Sequence, residues 1–358
     1  LPLRYGRELP VSQDDVLYAF VFAKYFVLFA LFRIAVRTEA DVATALRLAL
    51  ASGAVVAVVA ILQVKGLFNV AGLLNAYYDA PFEATVGPIK LRATSTVASS
   101  FGLADMMAMC LAVVLAWLSY HGRPRALLIA AGALFFAGCV AAGSFSGFIG
   151  CAVVVFAIGI ITRRMITLLA MLVPTGIVAT AIFWPVIAAR LDGFDSRLAL
   201  PRSWIGRLDN LERFFWPELF SNFNWLWGVR PAARVLAPET WRTWVYIESG
   251  HTWLLWTGGV PLFLAFIYFT WVVVRDLSGI ARSTVGPKAV SASAAVAATA
   301  MIFVLMAFDP HLTVRGSADL FFPLVALSLV SVNRGRKVPD TVVSDAGAAH
   351  RATGSAAA

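Results

Sequence analysis

The chain has 358 residues, 60% of them hydrophobic and only 14% charged. Soluble domains carry about 45–50% apolar and about 25% charged residues, so this composition excludes an ordinary soluble protein. The formal net charge of +9 does not point to nucleic acid, because Lys and Arg sit mostly in short connectors between apolar stretches, where basic residues fix membrane orientation.

Taken in chain order, the apolar runs predict about nine transmembrane helices, at 15–36, 45–64, 101–119, 126–142, 146–162, 165–189, 252–274, 289–308 and 318–332. A helix needs about 20 apolar residues to cross a bilayer core. The expected architecture is an all-α polytopic integral membrane bundle, one transmembrane domain over 1–332. The tail 333–358 is polar and rich in Ala, Gly and Ser, which predicts a disordered cytoplasmic segment. The chain begins at Leu1 rather than Met, leaving room for upstream spans. No cleavable signal peptide is visible.

Sidedness follows from the connectors. Arg33, Arg37 and Arg47, then His121 to Arg125, then Arg163 and Arg164, then Arg275, Arg282 and Lys288, then Arg334, Arg336 and Lys337 all fall on one side. The positive-inside rule makes that side cytoplasmic. The outer side then holds 66–100, the break at 143–147, the long loop 190–250 and the short loop 309–317.

Loop 190–250 is rich in Trp: Trp204, Trp216, Trp225, Trp227, Trp241 and Trp244. Trp favours the headgroup layer, and aromatic faces also suit sugar rings. Trp204, Leu208, Leu211 and Phe215 recur at helical spacing with Asp209 and Arg213 opposite, as in a helix lying in the interface plane. Arg207 sits at the edge of that apolar face. It reads either as a snorkelling Arg or as a cation aimed at a phosphate.

Two further outer segments carry candidate chemistry. Arg92 to Thr96 places an Arg on a Ser/Thr-rich turn before a span, a plausible anion site. Glu248 to Trp253 opens the span at 252 with His251 at its mouth. An ionisable group so near the bilayer is costly, and an imidazole titrates near neutrality, which suits proton transfer. His311, in Asp309-Pro310-His311, reads as turn chemistry. Lys24 and Asp105 are the main ionisable residues within or close to a span, both near span ends.

Cys110, Cys139 and Cys151 lie inside apolar spans without metal-ligand spacing and read as small buried hydrophobes. Gly143 to Gly147 is not a nucleophile elbow, since Ser146 stands one place late; a close helix contact is the simpler reading. No nucleotide or metal motif is present, so no cofactor is expected.

Several of these segments together resemble the O-antigen ligase and polysaccharide polymerase superfamily of bacterial membrane glycosyltransferases. The matching stretches are Arg92 to Thr96 before a span, Ser144-Phe145-Ser146-Gly147 opening a span, Arg207 to Trp227-Gly228-Val229 within the large loop, and Ser249-Gly250-His251-Thr252-Trp253-Leu254 followed by Gly258-Gly259-Val260-Pro261. Thr252 stands where the family carries Asn, and Arg230 where Gly is common. The resemblance runs from about residue 85 to 330 in the family's order.

It implies a glycosyltransferase-C-like bundle in the bacterial inner membrane with its active site on the periplasmic side. The implied activity is metal-independent transfer of a glycan from a polyprenyl-pyrophosphate-linked donor to a sugar acceptor. Partners would be that donor, the acceptor, the bilayer, and a chain-length regulator or other glycan assembly proteins. Arg92 and Arg207 would hold the pyrophosphate and His251 would be the general base. Arg230, Glu248, Trp253 and Arg315 complete the expected substrate-binding set, and loop 190–250 would act as a mobile lid. The competing class is a transporter of lipid-linked oligosaccharide, which should show charged pairs at mid-membrane and broken or repeated helices.

Overall fold

In the computed structural model, the residues described are 13–77, 92–120, 126–194, 201–236 and 244–330. Of the predicted features, the connector 121–125, Trp241 and the tail from 331 lie outside them. The described chain is a helical bundle. In order its helices are α1 (Gln13–Ala19), α2 (Val21–Ala35), α3 (Glu39–Val64), α4 (Val70–Tyr77), α5 (Ser100–Tyr120), α6 (Ala126–Ala142), α7 (Phe145–Thr162), α8 (Met165–Ile182) and α9 (Trp184–Leu191). The long connector follows with α10 (Arg202–Asn210), α11 (Trp216–Leu219), α12 (Asn224–Trp227) and a hairpin of β1 (Arg234–Leu236) and β2 (Trp244–Tyr246). The chain closes with α13 (Gly250–Ser283), α14 (Gly286–Leu305) and α15 (Ala318–Ser328). Among the described residues six helices are long and apolar enough to cross a membrane: α3, α5, α7, α8, α13 and α14.

α5 and α14 form the centre, and most of their side chains are buried. The run from Val290 to Ala298 is built of Ala, Ser and Val. Small residues let neighbouring backbones approach, and packing rather than hydrophobic transfer holds helices together in lipid. The close contact expected near Gly147 is present. A Cβ added there would stand 2.6 Å from the Cβ of Ala104, so α7 lies directly on α5. Around the outside, Phe26, Leu48, Ile160, Ile177 and Leu264 are exposed, an apolar girdle of the kind that lipid covers.

Contacts sort the helix ends into two groups. At one end Tyr120 donates to the Ala281 carbonyl at 2.7 Å and lies 2.9 Å from Ser293 Oγ. The Thr38 capping box opens α3 there, with a Cβ on Gly286 falling 3.8 Å from Glu39. At the other end Gln63 accepts the backbone N–H groups of Thr94 and Ser95 at 3.0 and 2.8 Å. Ala93 donates to the Ala141 carbonyl at 3.0 Å, and Gly250 to that of Met306 at 2.7 Å. The long connector joins this second end.

Two features depart from the sequence expectations. The hairpin is a small β element within an all-α expectation, with Val235 paired to Val245 and both side chains buried. The second departure is a break in α13 at Gly259, whose φ of 65° and ψ of −164° suit only a residue without Cβ. His251 and Phe266 are fifteen residues apart, about 22 Å on a straight helix. Their ring centroids are 6.2 Å apart. The half-helix 250–258 therefore folds back along the rest of α13. The break frees the Trp256 carbonyl, which accepts from Val229 N–H at 2.6 Å and Arg230 N–H at 3.3 Å. α12 packs into the bend, Trp227 N lying 2.6 Å from where a Gly259 Cβ would stand.

Candidate functional site

α10 carries Arg207 over the connector end of the bundle. Helix α10 runs into a π-helical turn, Leu211–Phe215; of the expected apolar face Leu211 and Phe215 are buried and Trp204 is half-buried, while Leu208 is exposed. The π turn slips the register and lets Phe215 seat edge-on against Trp256, with ring centroids 5.3 Å apart.

Arg207 is held by acceptors on two other segments. Its Nη1 lies 2.9 Å from Asp309 Oδ2 and donates to the Phe308 carbonyl at 3.1 Å. Its Nε is 3.8 Å from Glu248, and Asn210 donates to the same carboxylate at 3.3 Å. Behind Asp309 stands a completely buried pair: His311 Nδ1 is 2.6 Å from Asp105 Oδ2. Burial pushes the Asp309 carboxyl above its usual range, with Asp105 adding to this against the opposing charges of Arg207 and His311. For His311 burial works to lower proton affinity, but Asp105 and Asp309 outweigh it and the imidazole is raised above its ordinary value.

An aromatic patch adjoins this network. Trp204 packs on Phe308 at 4.7 Å and on Phe145 at 6.3 Å, and Phe145 meets Phe194 at 5.2 Å. All four rings are half-buried. Arg92 lies beside the turn that precedes Phe145, its Cγ 3.4 Å from where a Cβ on Gly143 would stand. The Arg92 turn itself is clamped by Gln63, which occupies the Thr94 and Ser95 amides.

The other expected residues take other partners. The His251 ring is enclosed by Phe263, Phe266 and Phe303 at 5.6–6.2 Å and makes no side-chain hydrogen bond among the described residues. Its backbone N–H and that of Gly250 both go to the Met306 carbonyl, and Ser249 caps Thr252 N at 3.3 Å. Trp253 is sealed in the core, stacked on Phe22 at 5.5 Å. Arg230 is bound by both oxygens of Asp15 from α1, the Nε–Oδ1 contact being 3.0 Å. Arg315 is exposed, with its backbone carbonyl against Gly102.

Reading the sequence by segments overlooked Asp105, Asp309 and His311 as a unit. The signal available was physical: an Asp inside an apolar span demands a partner, and the chain has only four histidines to offer. Comparison of the chain with family models, curated proteins and solved structures finds no match.

Proposed function

We propose that this chain is a multi-pass glycosyltransferase of a bacterial inner membrane, with about nine spans and its site on the periplasmic face. It would transfer a glycan from a polyprenyl-diphosphate carrier to a sugar hydroxyl, as a polysaccharide polymerase or an O-antigen ligase. The observation that carries this reading is the half-buried aromatic patch of Phe145, Phe194, Trp204 and Phe308, with Arg207 on the helix that carries Trp204 and Arg92 beside the turn that precedes Phe145. Aromatic faces suit pyranose rings. Guanidinium groups suit a diphosphate, which they bind bidentately and whose charge they stabilise as it departs. Arg207 is balanced by Glu248 and Asp309, and an incoming diphosphate would compete for it with these carboxylates.

The test uses the purified chain in proteoliposomes with a polyprenyl-diphosphate-linked oligosaccharide and a sugar acceptor. Release of polyprenyl diphosphate and growth or attachment of the glycan are followed. Arg207→Ala should lower turnover about 100- to 1,000-fold, the cost of removing one charge-stabilising donor, in protein that still purifies as folded. A native chain that leaves the donor intact refutes the reading.

A second reading, transport of the same lipid-linked oligosaccharide, is favoured by the break at Gly259, because discontinuous helices mark many transporter sites. It predicts movement of the donor across the bilayer with no new glycosidic bond.

A further inference from the structure

We propose that His311, oriented by Asp105, accepts the proton of the acceptor hydroxyl once Arg207 leaves Asp309. This rests on the glycosyl-transfer reading above. A carboxylate can only accept, so the 2.6 Å contact with Asp105 assigns the hydrogen to His311 Nδ1. In the neutral imidazole Nε2 then carries the lone pair. That atom is buried and has no hydrogen-bond partner among the described residues, and the same holds for Asp105 Oδ1. Buried polar atoms are rarely left unmatched, and an exception asks for a function.

An imidazole backed by a carboxylate on one nitrogen and open on the other is the arrangement of a general base. Among the described residues the His251 ring has no comparable partner, and three phenyl groups surround it. The charges facing His311 are Asp105 from α5, Asp309 from its own loop and Arg207 from α10. Together the two carboxylates make it a stronger base than an ordinary imidazole.

Arg207 is the latch over this pair. Its Nη1 contacts to Asp309 and the Phe308 carbonyl tie α10 to the loop that carries His311. When the guanidinium turns to a diphosphate, Asp309 is released and Nε2 becomes reachable. The acceptor O–H then gives its proton to Nε2. Its oxygen forms the new bond to the anomeric carbon. The bond from that carbon to the diphosphate oxygen breaks, and the electron pair leaves with the diphosphate beside Arg207. His311 afterwards returns its proton to solvent or to the departing diphosphate.

The test has two arms. In proteoliposomes with a polyprenyl-diphosphate-linked oligosaccharide, His311→Gln should lower kcat about 100- to 10,000-fold while KM for the donor stays near the native value. Asp105→Asn should move the acid limb of the pH–rate profile to lower pH, which a purely structural role would not do. Native kcat in His311→Gln overturns the proposal. The second arm needs no substrate: diethyl pyrocarbonate acylates neutral imidazole, and mass spectrometry reads the His311 peptide. His311 should be protected in the native chain and labelled in Arg207→Gln. Equal protection in both overturns the latch, whether or not His311→Gln folds. A native chain that does not consume the donor refutes the glycosyl-transfer reading, and the labelling arm then decides the latch alone.

Discussion

The break in α13 yields the sharpest prediction. Gly259→Ala places a Cβ on a residue with φ 65° and ψ −164°, a region that essentially only glycine occupies and that costs other residues about 1–3 kcal/mol. The same Cβ would stand 2.6 Å from Trp227 N and closer still to the Leu226 carbonyl. These are backbone atoms that cannot rotate away, and such overpacking costs about 1–3 kcal/mol more. Together the substitution should destabilise the native chain by about 2–6 kcal/mol. The assay is unfolding in mixed micelles titrated with denaturing detergent, followed by tryptophan fluorescence, since Trp225 and Trp227 lie at the bend. The control is Gly279→Ala in the same helix. Nothing lies within 4 Å of its added Cβ, so it should be neutral or stabilise by up to about 1 kcal/mol. Equal midpoints for the two variants would refute the broken-helix geometry.

Three further outcomes follow from other contacts. Asp15→Ala strands Arg230, whose side chain is only 10% exposed, and breaking a buried pair should cost about 3–5 kcal/mol; Asp15→Ala combined with Arg230→Met should recover most of it. Tyr120→Phe removes the hydrogen bonds to Ala281 and Ser293 and should cost about 1 kcal/mol, read in the same unfolding assay. His311 is raised from an ordinary value of 6.5, so its contribution is fully present below that pH and is lost as pH rises through the folded value. Thermal stability should therefore fall on the alkaline side of pH 6.5 and His311→Gln should flatten that slope; a native slope of opposite sign would contradict the assigned charges.

The long spans and the helix at Arg202–Asn210 were legible because each is a local periodic pattern, with apolar residues recurring at helical spacing. Helices therefore occupy the core of each of the nine predicted segments. What escaped the sequence was long-range or depended on backbone angle. Asp105 and His311 are 206 residues apart, and Asp15 and Arg230 are 215 apart; no local spacing encodes such pairs. Gly258-Gly259-Val260-Pro261 was visible, but glycine and proline are tolerated within membrane helices, so the segment read as continuous. The hairpin strands are three residues each, too short for alternation to stand out.

The Trp256 carbonyl, surrendered by its own helix and taken up by the amides of Val229 and Arg230, has a mechanical consequence. Peeling the connector from the half-helix 250–258 would strip that oxygen of its donors in an apolar layer, at about 1–3 kcal/mol. Swinging both together leaves it satisfied. The connector and the half-helix 250–258 are thereby coupled through this one oxygen, while the Met306 carbonyl, which takes the Gly250 and His251 amides, anchors the half-helix to the bundle.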